Sequence, residues 1–255
     1  MSNAESYIDG IYNYCDRWCE RCELTCRCRV FATEKRAAAE PGARDPKNGR
    51  FWRILGEMLD RAQQIIRKAA EEQGIDLDHQ DPAAWQESKA RKRRTGPHPL
   101  IDAGHAYAVQ VDRWFASNRA HFEEKELEFG RQADVELPGS SQEGEATQLL
   151  DALEVVRWYQ YQIPVKLARA VASREQAGVA ADDPCCDADG SAKVALIAMD
   201  RSLGSWGVLR KAFLLSEPHD SALDLLLTLD RLRRFTQQSF PNARSFVRPG
   251  LDDPA

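Results

Sequence analysis

"ATQLLDALEVVRWYQYQIPVKLARAVASRE", residues 146 to 175, decides the fold class. Leu149, Leu153, Val156, Ile163, Leu167 and Val171 recur mostly at three- and four-residue steps or their multiples, so they share one face of a helix. Outward from this stretch the same spacing predicts helices over 51 to 72 (Phe51, Leu55, Met58, Ala62, Ile65, Ala69) and over 99 to 130 (Leu100, Tyr107, Val111, Trp114, Phe129). It predicts two more over 190 to 215 (Val194, Ile197, Val208, Ala212) and 220 to 238 (Leu223, Leu226, Leu227, Leu232). No stretch alternates with period two for long enough to build a sheet. Turn-forming residues punctuate the pattern in "EPGARDPKNG" (40 to 49), "ELPGSSQEGE" (136 to 145) and "ADDPCCDADG" (181 to 190). Asp189 or Ser191 is placed to cap the helix that follows. Pro164 should kink its helix and release a carbonyl near Gln160.

The expected architecture is therefore all-α: a bundle of about five to six helices with a cysteine-rich N-terminal segment. Residues 1 to 35 would form that segment and 36 to 240 the bundle. Residues 241 to 255 hold few apolar side chains and are expected to be a loose tail.

Bulk properties narrow the function classes. The chain has 255 residues, 43% of them hydrophobic and 29% charged, as in an ordinary globular protein. Its net charge of −5 argues against a dedicated nucleic-acid binder. The basic run "KARKRR" (89 to 94) lacks interleaved aromatics and reads as a solvated linker. No apolar run approaches the roughly 18 residues of a membrane span, and the polar N-terminus, with Glu5 and Asp9, does not read as a signal peptide. Cytoplasmic residence is the expectation, with no membrane partner. The basic linker and the acidic loops leave a protein partner open.

Five of the seven cysteines fall in "YCDRWCERCELTCRCRVF", residues 14 to 31. In a reducing compartment such a cluster reads as metal ligands or thiols rather than disulfides. Cys15, Cys19, Cys22 and Cys26 would form one stripe on a continuous helix, but eleven helical residues span roughly 16 Å. Thiolates at about 2.3 Å from one zinc must lie far closer together than that. Four ligands therefore require the chain to turn. A helix ending near Cys22, followed by a loop through "ELTCRCR", would deliver Cys28 or Cys26 to Cys15, Cys19 and Cys22. Such a site suits zinc, with an iron–sulfur cluster as the alternative. Arg17, Arg21, Arg27 and Arg29 would offset the thiolate charge. The spacing also occurs in radical S-adenosylmethionine enzymes, but those need strands that this chain lacks. Cys185 and Cys186, adjacent in an acidic loop, read as loop thiols.

A second set of residues is polar where the helical pattern asks for hydrophobes. His105 and Asp112 share a line with Ile101, Ala108, Phe115 and Phe122. Glu154 falls between Leu150 and Trp158, with Tyr161 and Val165 beyond, and Asp200 lies between Ile197 and Leu203. A histidine and three carboxylates from three helices could hold a metal or act as a catalytic group inside a bundle. The competing account is ion pairing with Arg157, Lys166, Arg169 or Arg201. Convergence on one pocket would decide between them.

Taken together, "YIDGIYNYCDRWCERC" (7 to 22) with Cys28, "HPL" (98 to 100), "EVVRWYQYQIPVKLARA" (154 to 170) and "GSAKVALIAMDRS" (190 to 202) resemble an uncharacterised bacterial all-helical family. The resemblance covers most of the chain, and its cysteine motif is the specific part. It implies serine as the usual residue at position 26, which favours Cys28 over Cys26 as fourth ligand. It implies no activity.

Overall fold

The computed structural model describes residues 7–39, 45, 47–72, 74, 98–133, 142–177, 186–214 and 216–252. Among these no strand occurs, and the fold is all-α. Seven α-helices are described: α1 (Arg29–Ala38), α2 (Gly49–Glu72), α3 (Pro99–Ser117), α4 (Arg119–Ala133), α5 (Gln142–Ala177), α6 (Cys186–Ala212) and α7 (Glu217–Ser239). Three short 3-10 turns precede them, at Ile11–Asn13, Cys19–Arg21 and Thr25–Arg27. The basic run at 89 to 94 and Cys185 lie outside the described residues, as does most of the turn-rich stretch at 136 to 145.

Two departures from the expected helix count have local causes. Helix α1 follows the cysteine cluster directly, where the apolar spacing was too short to register. The single helix expected over 99 to 130 is two, because α3 stops at Asn118. There the Asn118 amide donates to the Trp114 carbonyl at 2.8 Å, competing with the backbone ladder. The break folds Phe122 back over Phe115, stacked at 5.9 Å between centroids. Phe122 also meets Trp114 and Phe213 edge-on, and Trp114 meets Trp206 in the same way. At its other end α3 begins on "HPL": His98 is the N-cap, its Nδ1 accepting from the Leu100 N–H at 3.2 Å, and Pro99 takes the first turn.

The chain divides into two units, one of residues 1–12 and 17–96 and the other of 13–16 and 97–255. In the second unit α6 packs between α5 and α7, and α3 packs on both α5 and α7. The α5 stripe faces the core as the spacing requires: Leu149, Val156, Ile163, Leu167 and Val171 are all buried, and Leu153 half-buried. Helix α3 approaches α5 closely at Gly104, where an added Cβ would lie 3.1 Å from Leu167 Cδ1 and 3.3 Å from the Pro164 backbone.

Other phases were misread. In α7 the buried line is Ala222, Leu225, Leu229, Leu232 and Thr236, whereas Leu223 and Leu226 are half-buried and Leu227 exposed. Helix α6 starts at Cys186, so Asp189 and Ser191 lie inside it rather than capping it. In the first unit, α2 leaves Ile65 64% exposed, so its apolar stripe does not form a buried face at that position.

The expected loose tail is ordered over 241 to 252. Ala243 is fully buried, and Arg244 forks onto Asp200. Arg248 holds Asp252, which also pairs with Lys193 of α6 at 2.7 Å. Charge pairs and one aromatic, Phe246, do here what a run of hydrophobes would do elsewhere.

Candidate metal centre

No α-helix runs through the cysteine cluster, so the expected helix ending near Cys22 is absent. Cys19 opens a 3-10 turn and Cys22 closes it, the Cys22 N–H reaching the Cys19 carbonyl at 3.2 Å. The turn brings the Cys19 and Cys22 backbones together across Glu20 and Arg21. The next turn, Thr25–Arg27, is closed in the same way by Cys28. Cys28 then becomes the N-cap of α1, its Sγ accepting the Phe31 N–H at 3.5 Å. Both closing cysteines have extended backbone, at φ −93° and −101°. Cys15, Cys19, Cys22 and Cys28 are half-buried, while Cys26 is exposed. In the same unit the Ile8 N–H bonds to the Arg27 carbonyl at 3.0 Å, and the Arg21 guanidinium lies 3.9 Å over the Trp18 ring.

Cys15 belongs to the tetrapeptide Asn13–Asp16, which packs with the second unit. Its neighbours are held by a socket on α5 and α6. The Asp16 carboxylate accepts the Tyr159 hydroxyl at 2.7 Å and the Arg201 guanidinium at 2.6 Å, and Arg201 also donates to the Tyr159 oxygen. The Asp16 carbonyl accepts from Trp158 Nε1 at 3.1 Å and from the Gln162 amide. Tyr14 donates to Asp187 at 3.3 Å and packs edge-on against Phe246 at 4.8 Å. Asp187 is also held by Arg169 and by the Ser173 hydroxyl at 2.5 Å, and Arg169 reaches the Asn13 carbonyl at 3.4 Å. Gly190 is small of necessity, since a Cβ there would sit 2.4 Å from the Tyr14 ring.

The charges in the socket are set by these partners. Burial pushes the Asp187 carboxyl up, but Arg169, Ser173 and Tyr14 outweigh it and hold it below the ordinary aspartate value. Burial raises the Tyr159 hydroxyl well above its usual range, so it stays a donor to Asp16. The Arg201 guanidinium, opposed by its own desolvation, is held up by Tyr159 and Asp16.

These socket residues were missed as a group in the sequence. The signal was present: "EVVRWYQYQIPVKLARA" and "GSAKVALIAMDRS" supply Trp158, Tyr159, Gln162, Arg169, Gly190 and Arg201. Their convergence on Tyr14 and Asp16 is a tertiary fact that spacing does not carry.

The second candidate set does not assemble. His105, Asp112 and Glu154 are all exposed. His105 and Asp112 themselves face outward from α3, although Ala108 and Phe115 on the same line are buried beside Leu100, Tyr107, Val111 and Trp114. Asp112 accepts from Gln160 Nε2 at 3.1 Å and from the Tyr161 hydroxyl. Asp200 is forked by Arg244 and bonded by Arg233 at 3.3 Å. The open groove of about 850 Å³ between α4 and the end of α6, lined by His121, Glu124, Leu127 and Phe213, contains none of the four. They are surface and ion-pair residues.

Among the described residues, no three His, Cys, Asp or Glu side chains are gathered in a group able to hold a metal ion. Nor is any helix long and apolar enough to cross a membrane. In comparison with family models, curated proteins and solved structures, the chain matched none.

Proposed function

We propose that the motif Cys15-x3-Cys19-x2-Cys22, completed by Cys28, binds one metal ion through four thiolates, and that the ion is a structural zinc. The observation that carries this reading is the backbone of the cluster. Cys22 and Cys28 each close a 3-10 turn in extended conformation, and Cys19 lies one turn before Cys22. A continuous helix would have held the sulfurs too far apart, and the short turns joined by extended residues remove that obstacle. Because sites of this kind commonly form as the metal binds, ungathered thiols are compatible with it. The Phe31 N–H points at Cys28 Sγ, and the exposure of Cys26 supports Cys28 as fourth ligand, with Cys26 as the alternative. The donor set is all sulfur, which suits zinc and equally an iron–sulfur cluster. The metal's role would be to fix an N-terminal segment too short to bury a core of its own. A reducing compartment, the cytoplasm, keeps such thiols available.

Cobalt(II) titration of the metal-free protein tests the geometry. Four thiolates in a tetrahedral field give intense visible bands together with sulfur-to-cobalt charge transfer, saturating at one ion per chain. A weak, water-like cobalt spectrum would overturn the proposal.

A further inference from the structure

The socket on α5 and α6 holds residues 13–16 as a binding site holds a peptide. Both ends of the segment are gripped through main-chain carbonyls: Arg169 reaches the Asn13 oxygen at 3.4 Å, and Trp158 and Gln162 donate to the Asp16 oxygen. Between those ends two side chains are recognised. The Tyr14 ring fills a seat that a Cβ on Gly190 would close, edge-on to Phe246 and with its hydroxyl on Asp187. The Asp16 carboxylate accepts from the Tyr159 hydroxyl and the Arg201 guanidinium, the second a charge-assisted contact. An aromatic side chain followed two residues later by a carboxylate is the pattern the socket selects. The segment also has the character of an occupant rather than of core. Residues 13–16 are counted with the bundle, whereas the chain on either side of them, 1–12 and 17–96, is counted with the other unit. All four are only half-buried and the Arg201 side chain is 54% exposed, so the segment can leave without opening the packed interior of Ile163, Leu167 and Met199. Immediately beyond the clasp Arg17 takes φ 58°, a left-handed conformation disfavoured for any residue with a Cβ. A peptide that ends or turns freely at that point does not carry this restriction.

We propose that the socket is a binding site for a partner protein's segment of the pattern Tyr-x-Asp, and that residues 13–16 occupy it in cis as a competing ligand. The partner is defined by complementarity: a ring for the seat beside Gly190, a carboxylate for Arg201 and Tyr159, and two main-chain carbonyls for the donors at either end. A tethered segment holds its site at a high effective concentration, so the cis segment keeps the socket closed to weak competitors. Partner and cis segment exclude each other, and release of residues 13–16 opens the site.

The test is fluorescence anisotropy of a labelled peptide of residues 10–18 carrying Cys15→Ser, titrated with the full chain. The cis segment is weakened by combining Tyr14→Ala with Asp16→Ala, and a third protein adds Arg201→Met to those two changes. Circular dichroism at the titration temperature shows which variants are folded; should the double variant not fold, the single variant Asp16→Asn takes its place. Expected are one peptide bound per chain of the variant, roughly ten-fold or more tighter than in wild type, and a loss of roughly ten-fold or more once Arg201→Met is added. The same peptide carrying Asp16→Asn should lose a similar factor, in a comparison that changes no residue of the protein. A folded variant that binds no peptide, or binds both peptides equally, would overturn the proposal. Equal binding by the wild-type chain and the variant would overturn it too, as would binding that survives Arg201→Met unchanged. A wild-type chain that sediments as a dimer, and as a monomer with Arg201→Met, would make a second copy the occupant and exclude the partner.

Discussion

At Gly190 the chain has no room for even a methyl group, since the Tyr14 ring lies 2.4 Å and Phe246 2.9 Å from where a Cβ would stand. Gly190→Ala must therefore push the ring out of its seat. We expect a loss of about 1–3 kcal/mol in unfolding free energy, read from urea midpoints. An unchanged midpoint would mean that the Tyr14 seat contributes nothing. Asp187, on the other side of the same tyrosine, supplies a pH signature. Its folded-state pKa is lowered, so its stabilisation is complete above the unfolded value of about 3.9 and is lost as pH falls through the lower folded value. Asp252 behaves in the same way, held down by Arg248 and Lys193 against its desolvation. Wild-type stability should be level above about pH 5 and decline below pH 4, and Asp187→Asn should lose stability at pH 7 and flatten that decline. Equal slopes for the two proteins would contradict the assignment. Single residues such as these were the least legible part of the sequence. Nothing in "DADG" or "NYCD" announces that the two meet, because their contact is made across 173 positions of chain.

At the scale of the element, α5 was the legible case and α7 the illegible one, for a physical reason. The α5 pattern mixes polar residues into its outer face, so its phase is unambiguous and Ile163, fully buried, sits where the spacing puts it. Ile163→Ala should cost about 2–5 kcal/mol, seen as a shifted denaturant midpoint with an unchanged slope. A cost below 1 kcal/mol would show that the stripe is not core. In α7 the run "SALDLLLTLDRL" places leucines on several faces, and periodicity alone cannot say which one is inside. The structure selects Leu225, Leu229 and Leu232. On α3 the line shared by His105, Ala108, Asp112 and Phe115 buries only its apolar members, and His105 and Asp112 are exposed, where they are ordinary. The tail was misread for a different reason. Its order comes from Arg244, Arg248 and Asp252 pairing with residues of α6 and with each other, which hydrophobic spacing does not register.

For the whole molecule, the composition and turn pattern sufficed for an all-α reading, and the cysteine cluster sufficed to name its candidate ligands. Neither could show that the chain is parcelled into two units with residues 13 to 16 counted among the second. The functional reading stands on the cysteine motif. The most direct measurement is the metal and sulfide content of the protein purified without oxygen, with its visible spectrum. One zinc per chain and no colour is the expected result, with the zinc lost in a Cys22→Ser variant and retained in Cys26→Ser. Iron with acid-labile sulfide would replace zinc by a cluster on the same ligands. Protein without metal, carrying seven thiols that all react at once, would contradict the four-thiolate site.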